Sequence, residues 1–339
     1  MNDPNDAKPA PANGHVYPPG LTDLPPVEAP SAGFIVQLFV IPAVVVLVVI
    51  FVWLLFGKLA GGERDAMEYV RLIRAADTNS RAADRAAFEL ASLIQNDTKL
   101  ASDPKVLGEL TEILDHDLDR PENPKMTQYL ALALGRFQTL DAKPASGKAV
   151  DPVAVLARAA GPKSPEGVRL AACASLAKQA ARLDGKLESP AAVAAIAEAG
   201  KGGEPVVRQM AAFALGFFDG DESAAALRDR LNDEDRYVRY NAASALARRD
   251  DPAALATLRE MLRPADLDKV LTVEDPAEKR AKIEGIELEA LNALNVAARH
   301  GKSGLSGSAR PEIDALTRSD LAGVKASALE LLKNLPAGK

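Results

Sequence analysis

The sequence predicts an all-α protein: a right-handed α-solenoid of about seven antiparallel helix pairs, preceded by a single transmembrane helix and a disordered tail. Three observations support this prediction. Apolar residues recur at the helical period over residues 64–335, and no run of residues alternates as a half-buried strand would. Residues 34–56 are uncharged and almost entirely apolar. Residues 1–33 contain eight prolines, which remove backbone donors and favour extended chain.

The predicted boundaries divide the 339-residue chain into five segments. They are a proline-rich tail (1–33), a transmembrane helix (34–56), a linker (57–63), the solenoid (64–335) and a C-terminal tail (336–339). The sequences YPPG and LPPVEAP in the first tail leave open a role as a ligand for a proline-binding module.

The apolar run 34–56 would form a helix about 34 Å long, enough to cross a hydrocarbon core of about 30 Å. A cleaved signal peptide is the alternative, but an acidic segment precedes the run, and the run is longer than a signal peptide needs. Lys58 and Arg64 follow the span closely, whereas only Lys8 precedes it. The positive-inside rule therefore predicts a single-pass protein of the bacterial inner membrane, with the tail outside and the repeat domain in the cytoplasm.

Composition limits the classes of function. The chain is 47% hydrophobic but only 4% aromatic, and its formal net charge is −6. The part beyond the span carries a net charge of −3, which argues against nucleic acid as a partner. The single cysteine excludes an internal disulfide and a cysteine-based zinc site.

A ten-residue frame recurs along the solenoid. The strong copies are VRLAACASLA from Val168, VRQMAAFALG from Val207 and VRYNAASALA from Val238. Weaker copies begin at Ala82, Met126, Ile286 and Val324. Small apolar residues share one face of each such helix, so neighbouring helices can approach closely.

A second helix is predicted before each frame helix. Examples are 66–76, 105–115, 252–262 and 311–318. Asp151-Pro152, Ser189-Pro190 and Asp251-Pro252 each place a capping side chain before a proline, which is typical of a helix start. The segment 263–282 lengthens the sixth pair and is predicted to be a loop, either specific to a partner or a tolerated linker.

The VRxxAAxALG helices resemble HEAT repeats, especially the short variety of phycobilisome-lyase-like proteins. The best match is DEDRYVRYNAASALA at 233–247. The tail, span and repeats together also resemble uncharacterised bacterial membrane proteins, notably from planctomycetes. The resemblance implies a solenoid, and similarity to the lyases implies an enzyme or a regulator of one as an alternative function.

Catalytic and metal-binding motifs are incomplete. Gly301-Lys302-Ser303 lacks the glycine that a phosphate loop carries five residues earlier, so GKSGLSGS is interpreted as a flexible linker. Asp115, Asp117 and Asp119 are spaced as in a calcium loop, but Arg120 and Met126 stand where glycine and glutamate belong. We therefore expect a solvated turn after the 105–115 helix.

Two isolated residues need a separate interpretation. His116, between two carboxylates, is at most a weak metal ligand, and Cys173 is interpreted as a buried small hydrophobe. We predict no catalytic residue, no cofactor, no metal and no small-molecule substrate.

Arg169, Arg208 and Arg239 follow the valine of the three strong frames. One interpretation is a basic stripe for an anionic partner. The favoured one, which the family resemblance implies, is a structural ladder in which each arginine bonds acids or carbonyls of neighbouring turns.

The predicted binding surface is the concave face lined by the second helices, because solenoids bind proteins and peptides there. Positions one turn off the core stripe should face outward. They are Gln128, Gln209, Phe213, Tyr240, Ser244 and Asn292. The leading functional hypothesis is a non-enzymatic, membrane-anchored scaffold or adaptor for a protein or peptide.

Overall fold

The computed structural model describes part of the chain in detail. The described residues are 46–51, 65–75, 81–119 and 123–335. The chain divides between Glu63 and Arg64 into two units. In the first unit, residues 46–51 are helical and exposed.

Several predicted segments lie outside the described residues. They are both tails, the linker, and the predicted span 34–56 apart from residues 46–51. Within the described ranges, no helix combines the length and the apolar character needed to cross a membrane.

The second unit consists of helices, and no strand occurs in the part of it that the structure describes. The helices form seven consecutive pairs. Pairs one to four are α1 (Ala66–Ala75) with α2 (Arg81–Asn96), α3 (Pro104–Asp119) with α4 (Pro124–Leu134), α5 (Pro152–Ala159) with α6 (Glu166–Arg182), and α7 (Pro190–Ala199) with α8 (Pro205–Leu215). Pair five is α9 (Asp221–Arg230) with α10 (Arg236–Arg248), pair six is α11 (Leu255–Met261) and α12 (Pro264–Val270) with α13 (Pro276–Arg299), and pair seven is α14 (Gly304–Ser308) and α15 (Arg310–Leu316) with α16 (Ala322–Asn334).

Short polar side chains before proline start several of these helices, as predicted. The Asp151 carboxylate accepts the Val153 N–H at 2.8 Å at the start of α5. The Ser189 hydroxyl accepts the Ala192 N–H at 3.2 Å at the start of α7. Each cap satisfies a backbone donor that the first helical turn leaves free, while proline presets the backbone.

The second helices form one continuous layer: α2, α4, α6, α8, α10, α13 and α16 each pack on the next. The first helices pack along one side of this layer. Alanine makes the close spacing possible, since Ala172, Ala212 and Ala243 are completely buried between helices. The predicted all-α array is therefore found, with a core built mainly from small aliphatic side chains.

Three predicted irregular segments are helical. The helix predicted over 105–115 continues through Asp119, because the acids on its last turns are held by Arg158 and Thr127. The predicted linker GKSGLSGS contains the short helix α14, whose Gly304 and Leu305 N–H groups donate to Asp250 at 2.9 and 2.7 Å. The predicted loop 263–282 is replaced by α12 and the first two turns of α13.

Two helical glycines should respond oppositely to alanine. A Cβ at Gly108 in α3 would lie 2.6 Å from the Lys143 carbonyl carbon, whereas a Cβ at Gly285 in α13 would meet nothing within 4 Å. We expect Gly108→Ala to lower the free energy of unfolding by about 1–3 kcal/mol through overpacking, and Gly285→Ala to raise it by about 0.5–1 kcal/mol through helix propensity. Urea unfolding of both variants tests this. An unchanged midpoint for Gly108→Ala would contradict the close approach of the 136–151 segment to α3.

Candidate functional site

The second of the predicted ladder arginines, Arg208, is enclosed by acceptors. Its Nε lies 3.0 Å from Asp233 Oδ2, and one Nη lies 3.0 Å from Glu234 Oε1. The other Nη donates to the carbonyl oxygens of Gly202 and Gly203. The side chains of Arg208 and Asp233 are only 7% and 5% exposed. This guanidinium therefore ties α8 to the turn before α10 and has no donor left for a partner.

The acid that pairs with Arg208 is held ionised. Burial by itself would raise the pKa of Asp233, but the Arg208 hydrogen bond, the Asp235 backbone N–H and the charges of Arg208 and Arg230 together lower that pKa. The Asp233 hydrogen bond in turn raises the pKa of Arg208.

The other two arginines make related contacts. Arg169 in α6 pairs with Glu204, before α8, at 2.7 Å, and its hydrogen bond is the main cause of the lowered pKa of Glu204. Arg239 in α10 donates to the carbonyl oxygens of Asp233 and Glu234, which precede its own helix, at 2.8 and 3.1 Å. All three arginines thus bond acids or carbonyls of the turns, as a structural ladder requires.

Glu287 occupies the ladder position in the next repeat. It follows Ile286 as the arginines follow their valines, and it is completely buried. Neither carboxyl oxygen has a hydrogen-bond partner among the described residues. Burial, followed by the nearby charges of Glu284 and Asp320, raises the pKa of Glu287 to about 7. In this repeat a buried carboxyl group, close enough to Glu284 and Asp320 to be affected by their charges, therefore takes the position of the arginines.

The six predicted partner-facing residues differ in accessibility. Phe213 and Asn292 are exposed, and Gln128 and Gln209 are half-buried. Tyr240 and Ser244 are buried, at 4% and 1% exposure, so the prediction that they face outward is wrong. The Tyr240 hydroxyl donates to Glu260 at 2.6 Å, and burial followed by this bond raises its pKa. Glu260 comes from α11, the first helix of the next pair, which packs on α10, and the helical period of α10 alone could not reveal this contact.

Alanine substitution should lower the free energy of unfolding much more at Tyr240 than at Phe213, the two aromatic residues that the sequence predicts to face a partner. Tyr240→Ala removes a buried ring and leaves Glu260 without its donor, so we expect a loss of about 3–5 kcal/mol in the free energy of unfolding. Phe213→Ala removes a ring that is 42% exposed, so the expected loss is about 1 kcal/mol or less. Thermal and urea unfolding would measure both. Similar losses would contradict the difference in burial.

An accessible surface nevertheless runs along the second helices. We call it the open face and define it by the accessible side chains of three rows, which come three, six and ten residues after each frame begins. Ala171 and Ser244 hold such positions but are buried, so they are not part of it. The first row includes Arg85, Tyr129, Met210, Asn241 and Glu289; the second includes Phe88, Leu132, Ala174, Phe213 and Asn292; the third includes Arg136, Lys178, Phe217 and Arg248. Contacts between neighbouring helices place these rows on one surface. The ring centroids of Phe88 and Tyr129 lie 5.4 Å apart, and the Arg248 guanidinium lies 2.7 Å from Glu289 Oε1.

Sequence reasoning missed Phe88, Tyr129, Arg136 and Lys178 as members of the open face. Phe88 is 56% exposed and holds the same frame position as Phe213. Aligning the weak frames from Ala82 and Met126 with the strong ones would have identified these positions.

A separate cleft of about 570 Å³ lies between the first two pairs. His116 and Met126 line it, together with acids of α3. Arg74 pairs with Glu109 at 2.7 Å and with Glu112 at 2.9 Å, so much of the acidic charge is neutralised. No group of three or more potential metal ligands occurs in the described ranges of the chain.

Cys173 lies buried in α6, as predicted. Burial raises the pKa of its thiol to about 12, against the weaker opposing charge of Arg169. The reactive thiolate form is therefore suppressed at neutral pH.

Comparison with known proteins agrees with the repeated helix pairs. Residues 193–273 match the HEAT_2 family model, described as HEAT repeats. The chain therefore contains HEAT repeats. No curated protein matches it.

Among solved structures, two engineered proteins are similar, at 18% and 21% identity, with TM-scores of 0.40 and 0.38. The matches cover 80% of this chain in both cases, and 96% and 98% of the engineered chains. Human deoxyhypusine hydroxylase in complex with glycerol is also similar, at 17% identity and a TM-score of 0.29, over 82% of this chain and 98% of that one.

Proposed function

We propose that this protein is a membrane-anchored scaffold or adaptor that binds a protein or peptide on the open face of its second helices, without catalysis. The observation that supports this proposal most directly is the exposure of Phe88 and Phe213 at equivalent frame positions on α2 and α8. Aromatic side chains contribute strongly to binding at protein interfaces. Aromatics are scarce in this chain, so two exposed at the same place in the repeat form a candidate anchor pair.

The structural arginines support the same interpretation by their engagement. A basic stripe for an anionic partner would need free guanidinium groups. The N–H groups of Arg208 instead donate hydrogen bonds to Asp233, Glu234 and two carbonyl oxygens. Binding on the open face would therefore leave the ladder intact.

Proximity labelling from the native membrane tests the scaffold proposal. The labelling enzyme would be fused to the C terminus of the full-length chain, and the wild type compared with Phe88→Ala/Phe213→Ala. We expect the double variant to lose specific labelled proteins, while Leu72→Ala, an exposed apolar change on the first helix α1, keeps them. Identical labelling in all three would overturn the proposal that the open face recruits a partner.

The anchor is proposed from the uncharged run 34–56 and from the cations that follow it. The expected topology is an external tail and a cytoplasmic repeat domain in a bacterial inner membrane. Alkaline carbonate extraction should leave the full chain in the membrane pellet, and protease added to spheroplasts, whose outer membrane has been opened, should spare the repeats. Release by carbonate would overturn the anchor, and external cleavage of the repeats would overturn the orientation.

The second candidate is a lyase-like enzyme or a regulator of one, which rests on the resemblance of the VRxxAAxALG helices to lyase-like HEAT repeats. We likewise propose, from the sequence resemblance alone, that this protein is related to uncharacterised membrane proteins of planctomycetes. A covalently attached or co-purifying chromophore, or turnover by the purified protein, would favour this candidate over the scaffold.

A further inference from the structure

Two neighbouring cations on the open face have no acidic partner. Arg136 follows α4, and Lys178 lies in α6. Among the described residues, neither has a carboxylate within ion-pairing distance; Arg136 donates instead to the amide oxygen of Gln95. Burial, followed by the charge of Arg136, lowers the pKa of Lys178, so the two cations lie close enough to repel each other.

Other cations of the open face are neutralised by nearby acids. Arg85 pairs with Glu89 at 2.6 Å, and Arg248 pairs with Glu289 at 2.7 Å. Of the four cations in the three rows, Arg136 and Lys178 are therefore the two without an acidic partner among the described residues. The gap between α4 and α6 is therefore the place on the open face where an anionic group would gain most.

The two cations are held in place by packed surroundings. Gln179, next to Lys178, donates to the carbonyl oxygens of Leu134 and Phe137 at 3.0 Å, which ties α6 to the end of α4. A Cβ on Gly135 would lie 2.7 Å from the Ser175 Cα, so these helix backbones are in close approach. Buried contacts therefore fix the backbone positions from which the two cationic side chains extend.

Apolar side chains flank the cations. Phe217 holds the frame position of Arg136 and Lys178 in the next repeat, and it contacts Phe213 edge to face at 4.9 Å. On the other side, the exposed ring of Phe88 meets Tyr129 at 5.4 Å. A positive centre thus lies between two aromatic pairs along the same layer of helices.

We infer that the open face from α2 to α8 binds an acidic peptide segment, which places a carboxylate between Arg136 and Lys178 and apolar side chains against Phe213–Phe217 and Phe88–Tyr129. This inference rests on the proposed scaffold function and specifies the chemistry of its partner. Adjacent helix axes lie about 8–10 Å apart, so α2 to α8 spans about 24–30 Å, or roughly seven to nine residues of extended chain.

Charge and shape favour a peptide over a nucleic acid. Two unpaired cations neutralise few phosphates, whereas nucleic-acid binding depends on many such contacts. A peptide carboxylate needs only one positive centre, and the flanking rings supply the apolar contact that an interface core requires.

A random nonapeptide phage library, selected on the immobilised full-length chain, tests the inference. We expect the recovered peptides to be enriched in Asp or Glu next to aromatic or aliphatic residues. Arg136→Gln/Lys178→Gln should weaken the binding of a recovered synthetic peptide by about tenfold or more, measured by fluorescence anisotropy. The matched control Lys325→Gln/Lys333→Gln removes two exposed charges from α16 and should leave affinity within about twofold.

The possible outcomes separate this inference from the scaffold proposal. Peptides that lack acidic residues, or that bind the Arg136→Gln/Lys178→Gln variant unchanged, would overturn the inference while leaving a scaffold in place. Recovery of no peptide, together with unchanged proximity labelling of Phe88→Ala/Phe213→Ala, would overturn both. Retention of a random single-stranded oligonucleotide that depends on Arg136 and Lys178, with no acidic peptide recovered, would assign the site to nucleic acid instead.

Discussion

Replacing Arg208 with methionine is expected to lower the free energy of unfolding by about 3–5 kcal/mol, because it leaves the buried carboxylate of Asp233 without its main partner. Asp233 would keep only the Asp235 backbone N–H, at 2.9 Å, and a distant contact with Arg230, at 3.9 Å. Methionine retains much of the apolar stem of arginine, so the measured effect reports mainly the loss of the guanidinium group. Urea unfolding monitored by circular dichroism would measure the effect.

The matched control is Arg299→Met. Arg299 also pairs with an acid, Glu330, but both side chains are more than half exposed, so the expected loss is within about 1 kcal/mol. The double variant Arg208→Met/Asp233→Asn should be less destabilised than the single Arg208→Met variant, because the uncompensated charge is gone. Equal small losses for Arg208→Met and Arg299→Met would contradict a buried ion pair.

The same pair has a pH signature. The pKa of Asp233 is lowered in the folded protein, so its contribution to stability is present above its ordinary value near 3.8 and is lost as the pH falls through the folded pKa. Arg208→Met should therefore flatten this part of the acid unfolding curve.

The wild type is expected to lose stability between pH 5 and pH 8, and the Glu287→Gln variant is expected to keep it. The folded pKa of Glu287, about 7, lies above its ordinary value of 4.5. The stabilising effect of its protonated form is therefore complete below pH 4.5 and is lost as the pH rises through about 7. At about 1.4 kcal/mol per pKa unit, the wild type should lose about 2–3 kcal/mol from this group.

Unfolding at pH 5 and pH 8 would compare the wild type, Glu287→Gln and the control Glu330→Gln, an exposed acid on α16. The wild type and the control should share the loss, while Glu287→Gln should not show it. Hydrogen-exchange protection factors in α16, which correct for the intrinsic rise of exchange with pH, should fall from pH 5 to pH 8 in the wild type and not in Glu287→Gln, since Asp320 precedes that helix. The same pH dependence in all three proteins would contradict the buried, unpaired state of Glu287.

The local rules of the sequence predicted much of the array correctly. The helical period and the small residues of the frames identified the second helices, and Asp151 and Ser189 before proline identified the starts of α5 and α7. These features act within one helical turn, so they can be recognised without knowledge of the neighbours. The chain contains HEAT repeats over residues 193–273, in agreement with the resemblance of the strong frames.

Predictions failed where contacts distant in sequence decide the outcome. Asp119 extends α3 because Arg158, from the next pair, neutralises it at 2.7 Å. Gly304 begins a helix because Asp250, from two pairs earlier along the chain, accepts its N–H. Both residues are ordinary signals of a turn or a linker when only their local sequence is considered.

The sequence by itself determined that this protein is built from helix pairs with small apolar faces, because periodicity and capping are properties of single helices. Only the tertiary structure decided which side chains remain available for a partner. Phe213 and Tyr240 come from adjacent frames, yet one ring is exposed and the other lies buried against Glu260. Arg208 and Arg136 are both arginines of frame helices or their ends, yet acids approach only the first. Exposure and charge pairing depend on the neighbouring repeats, and their spacing varies along the chain.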